Sequence, residues 1–253
     1  MQFPTACIII IGNEVLSGRT KDVNLSWLAT NLNEVGVRVM ECRVIPDIEE
    51  VIVSVINSAR KHFTYVFTTG GIGPTHDDIT SASIAKAFNC KLVRNPEAVE
   101  LLTKHYPPDQ LNEARLKMSE MPEGSTLIYN PVSAAPGYIK DNVYVMAGVP
   151  RIMQAMFDGI KHGFKGGAKM HSHTISAYVT EGVIAAELTQ IQHDCPQTEI
   201  GSYPFVHQQR LGTSLVIRAT DTDAIQFCAQ RIKNMLLKYT PDLTEGDFKA
   251  EAL

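Results

Sequence analysis

The amino-acid sequence predicts an α/β fold, with a doubly wound and mostly parallel sheet, followed by a small α+β domain. Three observations support this prediction. Residues 6–11 form an unbroken, mostly β-branched apolar run, which is typical of a strand buried on both faces of a parallel sheet. Strand-like and helix-like patterns then alternate along the chain. The order of these patterns changes after a glycine-rich segment at residues 163–169.

Strands and helices alternate in the first part of the chain. The apolar runs that predict strands are at residues 6–11, 37–40 and 65–69. Apolar residues at helical spacing predict a helix over 23–32, which ends before Gly36. Asp47 is predicted to be the N-cap of a helix that follows the second strand. A glycine-rich loop follows the third strand directly.

The same alternation continues beyond this loop. Helices are predicted over 79–88, from Pro96 to the proline pair at 107–108, and over 151–161. Proline is tolerated in the first turn of a helix, so Pro96 and Pro150 indicate helix starts. Short strands are predicted at 125–129, 137–140 and 143–146. These elements complete a first domain at residues 1–165.

A short, polar and glycine-rich segment at residues 163–169 is the predicted linker. Beyond it, strands are predicted at 173–179, 199–203 and 214–219, with helices at 183–193 and 221–239. This β-α-β-β-α order predicts a small α+β domain at residues 170–240. Residues 241–253 are predicted to form a loosely ordered tail.

Composition and charge argue against several classes of function. Hydrophobic residues make up 44% of the chain and the formal net charge is −4, so the overall charge does not favour nucleic acid or an anionic membrane. The cysteines are widely spaced and lack a C-x-x-C pair, which favours reduced thiols. The apolar run at 6–11 is too short to span a bilayer. We therefore expect a cytoplasmic protein with no nucleic-acid or membrane partner.

Residues 69–80, with the sequence TGGIGPTHDDIT, are the clearest candidate for a binding site. Its glycines are Gly70, Gly71 and Gly73. A strand that runs through such a loop into a helix places backbone N–H groups around one concavity, which attracts phosphate. The loop lacks the lysine of a Walker A motif. The alternative is a tight strand-to-helix turn in which Thr75 and Asp78 form a capping box.

Two adjacent carboxylates, Asp77 and Asp78, lie where a bound phosphate would add further negative charge. This arrangement makes chemical sense if a divalent cation lies between them, because Mg²⁺ binds one or two carboxylates together with phosphate oxygens. The alternative is that both acids interact with the N-terminus of the next helix. Asp47 is a third candidate, since ligands of α/β sheets collect at the carboxyl ends of the strands.

Two further polar segments belong to the same predicted edge of the sheet. Gly12, Asn13 and Glu14 follow the first strand, where glycine permits close approach of a ligand and the side chains offer polar contacts. Residues 130–137, with the sequence NPVSAAPG, form a loop of small residues and prolines. On composition alone, this second segment is an ordinary connection.

Taken in order, these segments resemble the CinA-like proteins, which share the molybdopterin-binding fold of the MoaB/MogA and MoeA families. The resemblance rests on residues 12–18, Asn24, residues 69–80, the NP and APG parts of residues 130–137, and residues 148–150. It spans about residues 5–160, and residues 170–240 resemble the small KH-type domain that follows in CinA proteins. It does not extend to the CinA amidase domain, so we do not expect deamidation of nicotinamide mononucleotide.

The resemblance implies a metal-dependent nucleotide pyrophosphatase that acts on ADP-ribose or on FAD-like dinucleotides. It implies a divalent metal, Mg²⁺, Mn²⁺, Co²⁺ or Ni²⁺, with K⁺ as a candidate additional ion. Asp78 matches the aspartate that MogA-type enzymes place near the adenylated pterin phosphate, and Asp47 matches a second acidic position. These two are the expected metal ligands, and Asp77 joins them as a catalytic candidate.

The resemblance also implies which residues contact the substrate and how the chain assembles. The expected substrate contacts are Gly12, Asn13, Glu14, Gly70, Gly71, Gly73, Thr75, Thr80, Asn130, Pro136 and Gly137. Relatives with this fold self-associate, so a homodimer or homotrimer is expected. Residues 115–118 depart from the Asn-Arg-Arg-Gln segment of many CinA proteins, which leaves base and ribose selectivity open.

Two alternative functions use the same loop. One is a pterin-binding or adenylyl-transferring protein of molybdenum-cofactor metabolism. The other is a nucleotide-binding protein that carries out no catalysis.

Overall fold

The structure, a computed structural model, describes residues 3–247. The chain forms two compact units that divide between Gly167 and Ala168, within the segment predicted to be the linker. Across residues 3–247, no helix combines the length and the apolar character needed to cross a lipid bilayer.

The first unit is built of alternating strands and helices. Its strands are β1 (Thr5–Ile11), β2 (Arg38–Ile45), β3 (Tyr65–Thr69), β4 (Leu92–Arg94), β5 (Glu120–Pro122), β6 (Thr126–Ile128), β7 (Gly137–Lys140) and β8 (Val143–Met146). Its helices are α1 (Asn13–Leu16), α2 (Asn24–Glu34), α3 (Glu49–His62), α4 (Thr80–Ala87), α5 (Pro96–His105), α6 (Glu113–Lys117) and α7 (Pro150–Ile160). A single 3₁₀ turn at Lys161–Gly163 follows α7.

Six of these strands form one sheet in the order β2-β1-β3-β8-β7-β6. The first four are parallel, and β7 and β6 add an antiparallel edge. Strands β4 and β5 form a separate antiparallel pair. The predicted doubly wound, mostly parallel α/β sheet is therefore confirmed.

Strand β1 shows why this sheet is buried on both faces. Cys7, Ile9 and Ile11 belong to one apolar cluster, which includes residues of α3 and α4. Ala6, Ile8 and Ile10 belong to the other cluster, with residues of α2 and α7. Burying an isoleucine side chain contributes about 1.5–3 kcal/mol. Helices on both faces explain why the strand is apolar at every position rather than at every second one.

The second unit is a small α+β domain. Its elements are β9 (His171–Ala177), α8 (Glu181–Asp194), β10 (Glu199–His207), β11 (Arg210–Ala219), α9 (Thr222–Leu236) and β12 (Leu243–Glu245). The strands form an antiparallel sheet in the order β10-β11-β9-β12. Buried residues of α8 and α9, such as Ile184 and Ile232, share one core with Ile175 and Leu215 of the sheet.

The structure corrects one boundary of this second unit. We predict a loosely ordered tail at 241–253, but Leu243–Glu245 pair with β9 as β12, and Leu243 packs against the core. The prediction is wrong for this strand because a single apolar side chain is too short a pattern to indicate one. Residues 248–253 lie outside the described part of the chain.

Candidate functional site

The candidate site lies at the carboxyl edge, by which we mean the edge of the sheet where β2, β1, β3 and β8 end. The backbone N–H of Asn13 donates to the Asp47 carboxylate, with 2.9 Å between N and Oδ2. The N–H of Gly12 donates to the Ile45 carbonyl at 3.1 Å. The segments that follow β1 and β2 are therefore held side by side.

The contact with Asn13 corrects the role predicted for Asp47. The helix that follows β2 starts at Glu49, its N-cap position is Ile48, and no side chain caps it. Asp47 lies one residue too early for this role, and its carboxylate turns to the neighbouring segment instead. The predicted N-cap is wrong, whereas the predicted position at the carboxyl edge agrees with the fold.

The glycines after β3 are required by close packing. Gly70 and Gly71 have φ angles of 103° and 68°, in the left-handed region that favours glycine. A Cβ atom on Gly70 would lie 2.1 Å from the Ile11 carbonyl oxygen, and one on Gly71 would lie 2.1 Å from Thr80 Oγ1. Side chains at these positions would therefore push the loop away from β1 and from α4.

Thr80 fastens this loop to the first turn of α4. Its hydroxyl donates to the Gly70 carbonyl at 3.1 Å, and its N–H donates to the Gly71 carbonyl at 3.0 Å. Thr80 is fully buried. Its hydrogen-bonding groups thus face the loop, so the structure places Thr80 as a positioning residue for the predicted phosphate contacts.

Backbone donors suited to an anion remain in the loop. The N–H of Gly70 donates to the Met146 carbonyl at 3.2 Å and is therefore already used. Within residues 3–247, the N–H groups of Gly71, Ile72 and Gly73 have no hydrogen-bond acceptor. Consecutive free N–H groups in such a turn form a concavity that binds phosphate oxygens.

The acids of the loop are gathered by Thr75. Its hydroxyl oxygen lies 2.6 Å from Asp77 Oδ1 and 2.6 Å from Asp78 Oδ2, and its N–H donates to Asp78 Oδ2 at 2.8 Å. A hydroxyl carries one proton, so it donates to one of the two carboxylates at a time. The hydrogen bond from the Thr75 side chain is the main cause of a lowered pKa for Asp77. The backbone N–H of Asp77 also lowers this pKa, as do His76 and Lys117.

This arrangement excludes the capping-box alternative. Helix α4 begins at Thr80 with Ile79 at its N-cap position, so Thr75 and Asp78 lie too far upstream to cap it. Their hydrogen bonds close a separate turn within the loop. Lys117, from α6, supports that turn by donating from Nζ to the Thr75 carbonyl at 2.5 Å.

Asp47 and Asp78, the predicted metal ligands, each accept hydrogen bonds from a different segment, and their pairing as ligands stays a prediction. Asp47 contacts Asn13, whereas Asp78 contacts Thr75, and within residues 3–247 no group of three or more His, Cys, Asp or Glu side chains is placed to hold a metal ion. Asp77 and Asp78 converge on the same hydroxyl and offer the oxygen ligands that Mg²⁺ prefers. The residues present therefore fit a cation held by these two acids, with phosphate oxygens completing its ligands.

The loop at residues 130–137 is organised by Asn130. Its side-chain amide donates to Ser133 Oγ at 2.7 Å and to the Ala135 carbonyl at 2.9 Å, and its oxygen accepts from the N–H groups of Val132 and Ser133. The side chain thus has no hydrogen-bonding capacity left for a ligand, and we assign it a positioning role.

The end of that loop packs against the sheet and borders the site. A Cβ on Gly137 would lie 2.3 Å from the Val145 carbonyl oxygen, which explains the glycine. Pro136 lines a small cavity together with Gly73 and Asp78. Of the three predicted contacts in this loop, Pro136 is the one that the structure places beside the acids.

At the first strand, the predicted contacts lie together. A Cβ on Gly12 would lie 2.5 Å from Glu14 Oε1, because the Glu14 side chain folds back over Gly12. The Glu14 carboxylate is the flexible end of a side chain and can move aside, so this contact alone does not require glycine. Gly12, Asn13 and Glu14 remain predictions as substrate contacts.

Three residues to which the sequence alone assigns no site role lie beside the acids or at the carboxyl edge. Lys117 supports the acidic turn, and the buried Tyr138 lines the cavity beside Asp78. Asn24 donates to the Gly148 carbonyl at 2.8 Å, and its buried side-chain oxygen has no partner among the described residues. Asn24 is one of the residues on which the resemblance rests, and this could have identified it as a site residue. Tyr138 has the sequence context of an ordinary core residue and gives no such signal.

Comparisons with known proteins agree with this division of the chain. Residues 7–164 match the family model described as "Probable molybdopterin binding domain". Residues 169–242 match the family model described as "FAD synthase, middle domain". The KH-type label for the second unit is finer than this match and stays a prediction.

Relatives and a solved structure are similar to this chain. A protein of Archaeoglobus fulgidus is 41% identical over 197 residues, covering 78% of this chain and 84% of the relative. One of Pyrobaculum calidifontis is 35% identical over 212 residues, covering 79% and 81%. The crystal structure of the protein CinA, with unknown function, from Thermoplasma acidophilum has a TM-score of 0.60 and 31% identity, covering 63% of this chain and 96% of the other. These matches confirm the molybdopterin-binding fold and the likeness to CinA.

Proposed function

The chain belongs to the molybdopterin-binding domain family, and we propose that it is a metal-dependent nucleotide pyrophosphatase whose substrate is FAD or a related dinucleotide such as ADP-ribose. The observation that carries the proposal is the pairing of two features in one loop. The backbone N–H groups of Gly71, Ile72 and Gly73, which have no acceptor within residues 3–247, offer donors for an anion. The carboxylates of Asp77 and Asp78 offer ligands for a cation. A pyrophosphate with a divalent cation complements both features.

The match of the second unit favours FAD as the first substrate to test. Residues 169–242 match the middle domain of FAD synthase. The first unit resembles the domain of eukaryotic FAD synthases that is associated with FAD hydrolysis. ADP-ribose, which the resemblance to CinA implies, has the same pyrophosphate linked to adenosine. We therefore place FAD first and ADP-ribose second.

The chemistry required of the chain is positioning and charge stabilisation. The N–H groups of Gly71 to Gly73 hold oxygens of one phosphate, and preorganised donors of this kind stabilise the negative charge that develops during attack. A water oxygen forms the new bond to phosphorus, and the bond from that phosphorus to the bridging oxygen breaks. With FAD, the products are FMN and AMP.

Asp77 and Asp78 would hold the divalent cation, and when bound it neutralises charge on the phosphate oxygens. The contact between Asp47 and Asn13 supports a different role for Asp47, as the residue that fixes the segment after β1. We therefore propose Asp77 and Asp78 as the metal ligands, in place of Asp78 and Asp47.

The experiment is a product analysis with metal-free protein. FAD and ADP-ribose are each incubated with the chelator-treated chain, alone and with Mg²⁺, Mn²⁺, Co²⁺ or Ni²⁺, in the presence and absence of K⁺. We expect AMP from at least one substrate with a divalent cation and none without it. Absence of AMP under every condition contradicts the proposal.

A second candidate function is binding of a pterin or of its adenylylated form. The match of residues 7–164 to a family described as molybdopterin-binding is the observation that favours it. Quenching of pterin fluorescence at micromolar protein, together with no AMP from FAD or ADP-ribose, supports this candidate over hydrolysis. Thermal stabilisation by nucleotides without any product supports a non-catalytic nucleotide-binding protein instead.

A further inference from the structure

A cavity of about 30 Å³ adjoins the glycine loop within the first unit. Gly73 and Asp78 of the loop line it, together with Ser81 of α4 and Tyr138 of β7. A volume of this size accommodates roughly one or two water molecules and is too small for a nucleoside. Because Gly73 and Asp78 also belong to the proposed phosphate site, whatever occupies the cavity lies next to the phosphate.

Tyr138 gives this cavity an unused polar group. The residue is 2% exposed, and its hydroxyl has no hydrogen-bond partner among residues 3–247. Burial raises the pKa of Tyr138 well above its usual value, and the nearby Ser81 hydroxyl opposes that rise without lying in hydrogen-bonding geometry. A buried tyrosine hydroxyl normally has a partner, so an unpaired one that lines a cavity points to a bound polar molecule.

We propose that this cavity holds the water molecule that attacks the phosphate, and that Tyr138 and Ser81 position it beside Asp78. This inference rests on the proposed pyrophosphatase function. A buried water needs two to four polar partners, and the Tyr138 hydroxyl, the Ser81 hydroxyl and the Asp78 carboxylate supply them. Apolar residues such as Ile72 and Met118 line the cavity as well, together with the charged residues Lys117 and Glu120.

The water, Asp78 and Tyr138 have separate roles in the reaction. The water oxygen forms a bond to one phosphorus, while the bond from that phosphorus to the bridging oxygen breaks and its electron pair leaves with the second phosphate. The proton released by the water passes to solvent, and the Asp78 carboxylate acts as a hydrogen-bond acceptor for the water. Tyr138 keeps its proton throughout and acts by hydrogen bonding, so it is a positioning residue.

The test uses Tyr138→Phe, which removes one hydroxyl and leaves the ring in the core. With FAD and the activating metal, we expect kcat to fall about tenfold to a hundredfold while KM changes less than about twofold. Tyr129→Phe is the matched control, because its hydroxyl donates to Glu97 on the exposed surface and lies outside the cavity. We expect this control to match the wild type.

A second readout separates water positioning from a structural effect. In water–methanol mixtures, the wild type is expected to favour water, and Tyr138→Phe is expected to form a larger share of phosphate methyl ester. A general loss of packing lowers the rate of both products and does not change their ratio. Unchanged kcat and unchanged product ratio in Tyr138→Phe overturn the inference, and the proposed function stands if the wild type still produces AMP.

If the wild type is inactive, a high-resolution crystal structure tests whether the cavity holds a water molecule. Inactivity towards every dinucleotide contradicts the proposed function, and the water can then no longer be assigned as a nucleophile. We expect an ordered water within hydrogen-bonding distance of the Tyr138 hydroxyl and the Asp78 carboxylate. A dry cavity overturns the inference whatever the activity of the protein.

Discussion

The Asp47 carboxylate accepts a hydrogen bond from the backbone N–H of Asn13, at 2.9 Å. Together with the hydrogen bond from Gly12 to Ile45, this bond holds the segments after β1 and β2 side by side at the carboxyl edge. It places Asp47 beside the predicted substrate contacts Gly12 and Glu14, and it leaves the start of α3 without a side-chain cap. This contact supports our proposal that Asp47 positions neighbouring backbone, and substitutions can distinguish this role from metal binding.

Asp47→Asn is expected to keep both stability and metal affinity close to those of the wild type, because the amide oxygen still accepts from Asn13. Asp47→Ala removes the acceptor and is expected to cost about 0.5–1.5 kcal/mol in the free energy of unfolding. Urea unfolding and titration with Mn²⁺ measure the two quantities. A large loss of metal affinity in Asp47→Asn contradicts the positioning role and restores Asp47 as a ligand.

Thr80→Val tests how the glycine loop is fastened. The substitution keeps the shape of the side chain but leaves the buried Gly70 carbonyl without its donor, so we expect a loss of about 1–3 kcal/mol in unfolding free energy. Thr103→Val is the control, because its hydroxyl donates within the exposed face of α5, and we expect a change within about 0.5 kcal/mol. Equal effects of the two substitutions contradict the fastening role.

Thr75→Val is expected to raise the pKa of Asp77 towards its ordinary value, because the Thr75 hydroxyl is the main cause of the lowered pKa. A carboxyl with a lowered pKa in the folded state stabilises the fold above its unfolded pKa of about 3.9, and this contribution is lost as the pH falls through the folded value. The pH dependence of stability below about pH 4 is therefore weaker in Thr75→Val. Carboxyl NMR titration of Asp77 measures the shift, and an unchanged pKa contradicts its assigned cause.

Leu243→Ala tests whether β12 belongs to the second unit. Leu243 packs against that core while remaining partly exposed, so we expect a loss of about 1–2 kcal/mol, less than for a fully buried leucine. Leu237→Ala, at a site that is 56% exposed, is the control and is expected to change stability by less than about 0.5 kcal/mol. The N–H of Gly246, next to β12, donates to the Thr174 carbonyl of β9 at 2.9 Å, and its protection from hydrogen exchange provides an independent readout. Full exchange of this amide in the wild type contradicts pairing with β12.

Much of the fold follows from sequence because the central strands have strong local patterns. Strand β3 occupies the predicted residues 65–69, since a continuous apolar and β-branched run is hard to confuse with a loop. Strand β2 extends to Ile45 beyond its predicted end because Glu41 and Arg43 interrupt the apolar pattern. Those two side chains form an ion pair with each other, at 2.6 Å between Nε and Oε1. Strands β4 and β5 have three residues each, too few for any periodicity.

The candidate site could be predicted in part for a related reason. Glycines and acids that follow a strand are contiguous in sequence, so residues 69–80 are recognisable as a unit. Lys117 and Tyr138 reach the site from α6 and β7, and only the three-dimensional fold brings them to Thr75 and Asp78. The pairing of Asp78 with Asp47 rests on the resemblance and stays a prediction, whereas the contacts of the Thr75 hydroxyl with Asp77 and Asp78 are visible in the fold.

We propose that the loop with Asp78 hydrolyses a dinucleotide with the help of a divalent cation. The most direct measurement is the rate of AMP formation from FAD by the metal-loaded wild type, by Asp78→Asn and by Asp141→Asn. The amide of Asp78→Asn still accepts from the Thr75 N–H and thus keeps the turn, while Asp141 is exposed at the turn between β7 and β8. We predict a loss of at least about a hundredfold in Asp78→Asn and no loss in Asp141→Asn. Equal rates in all three proteins, or no AMP from the wild type, would contradict hydrolysis by this loop.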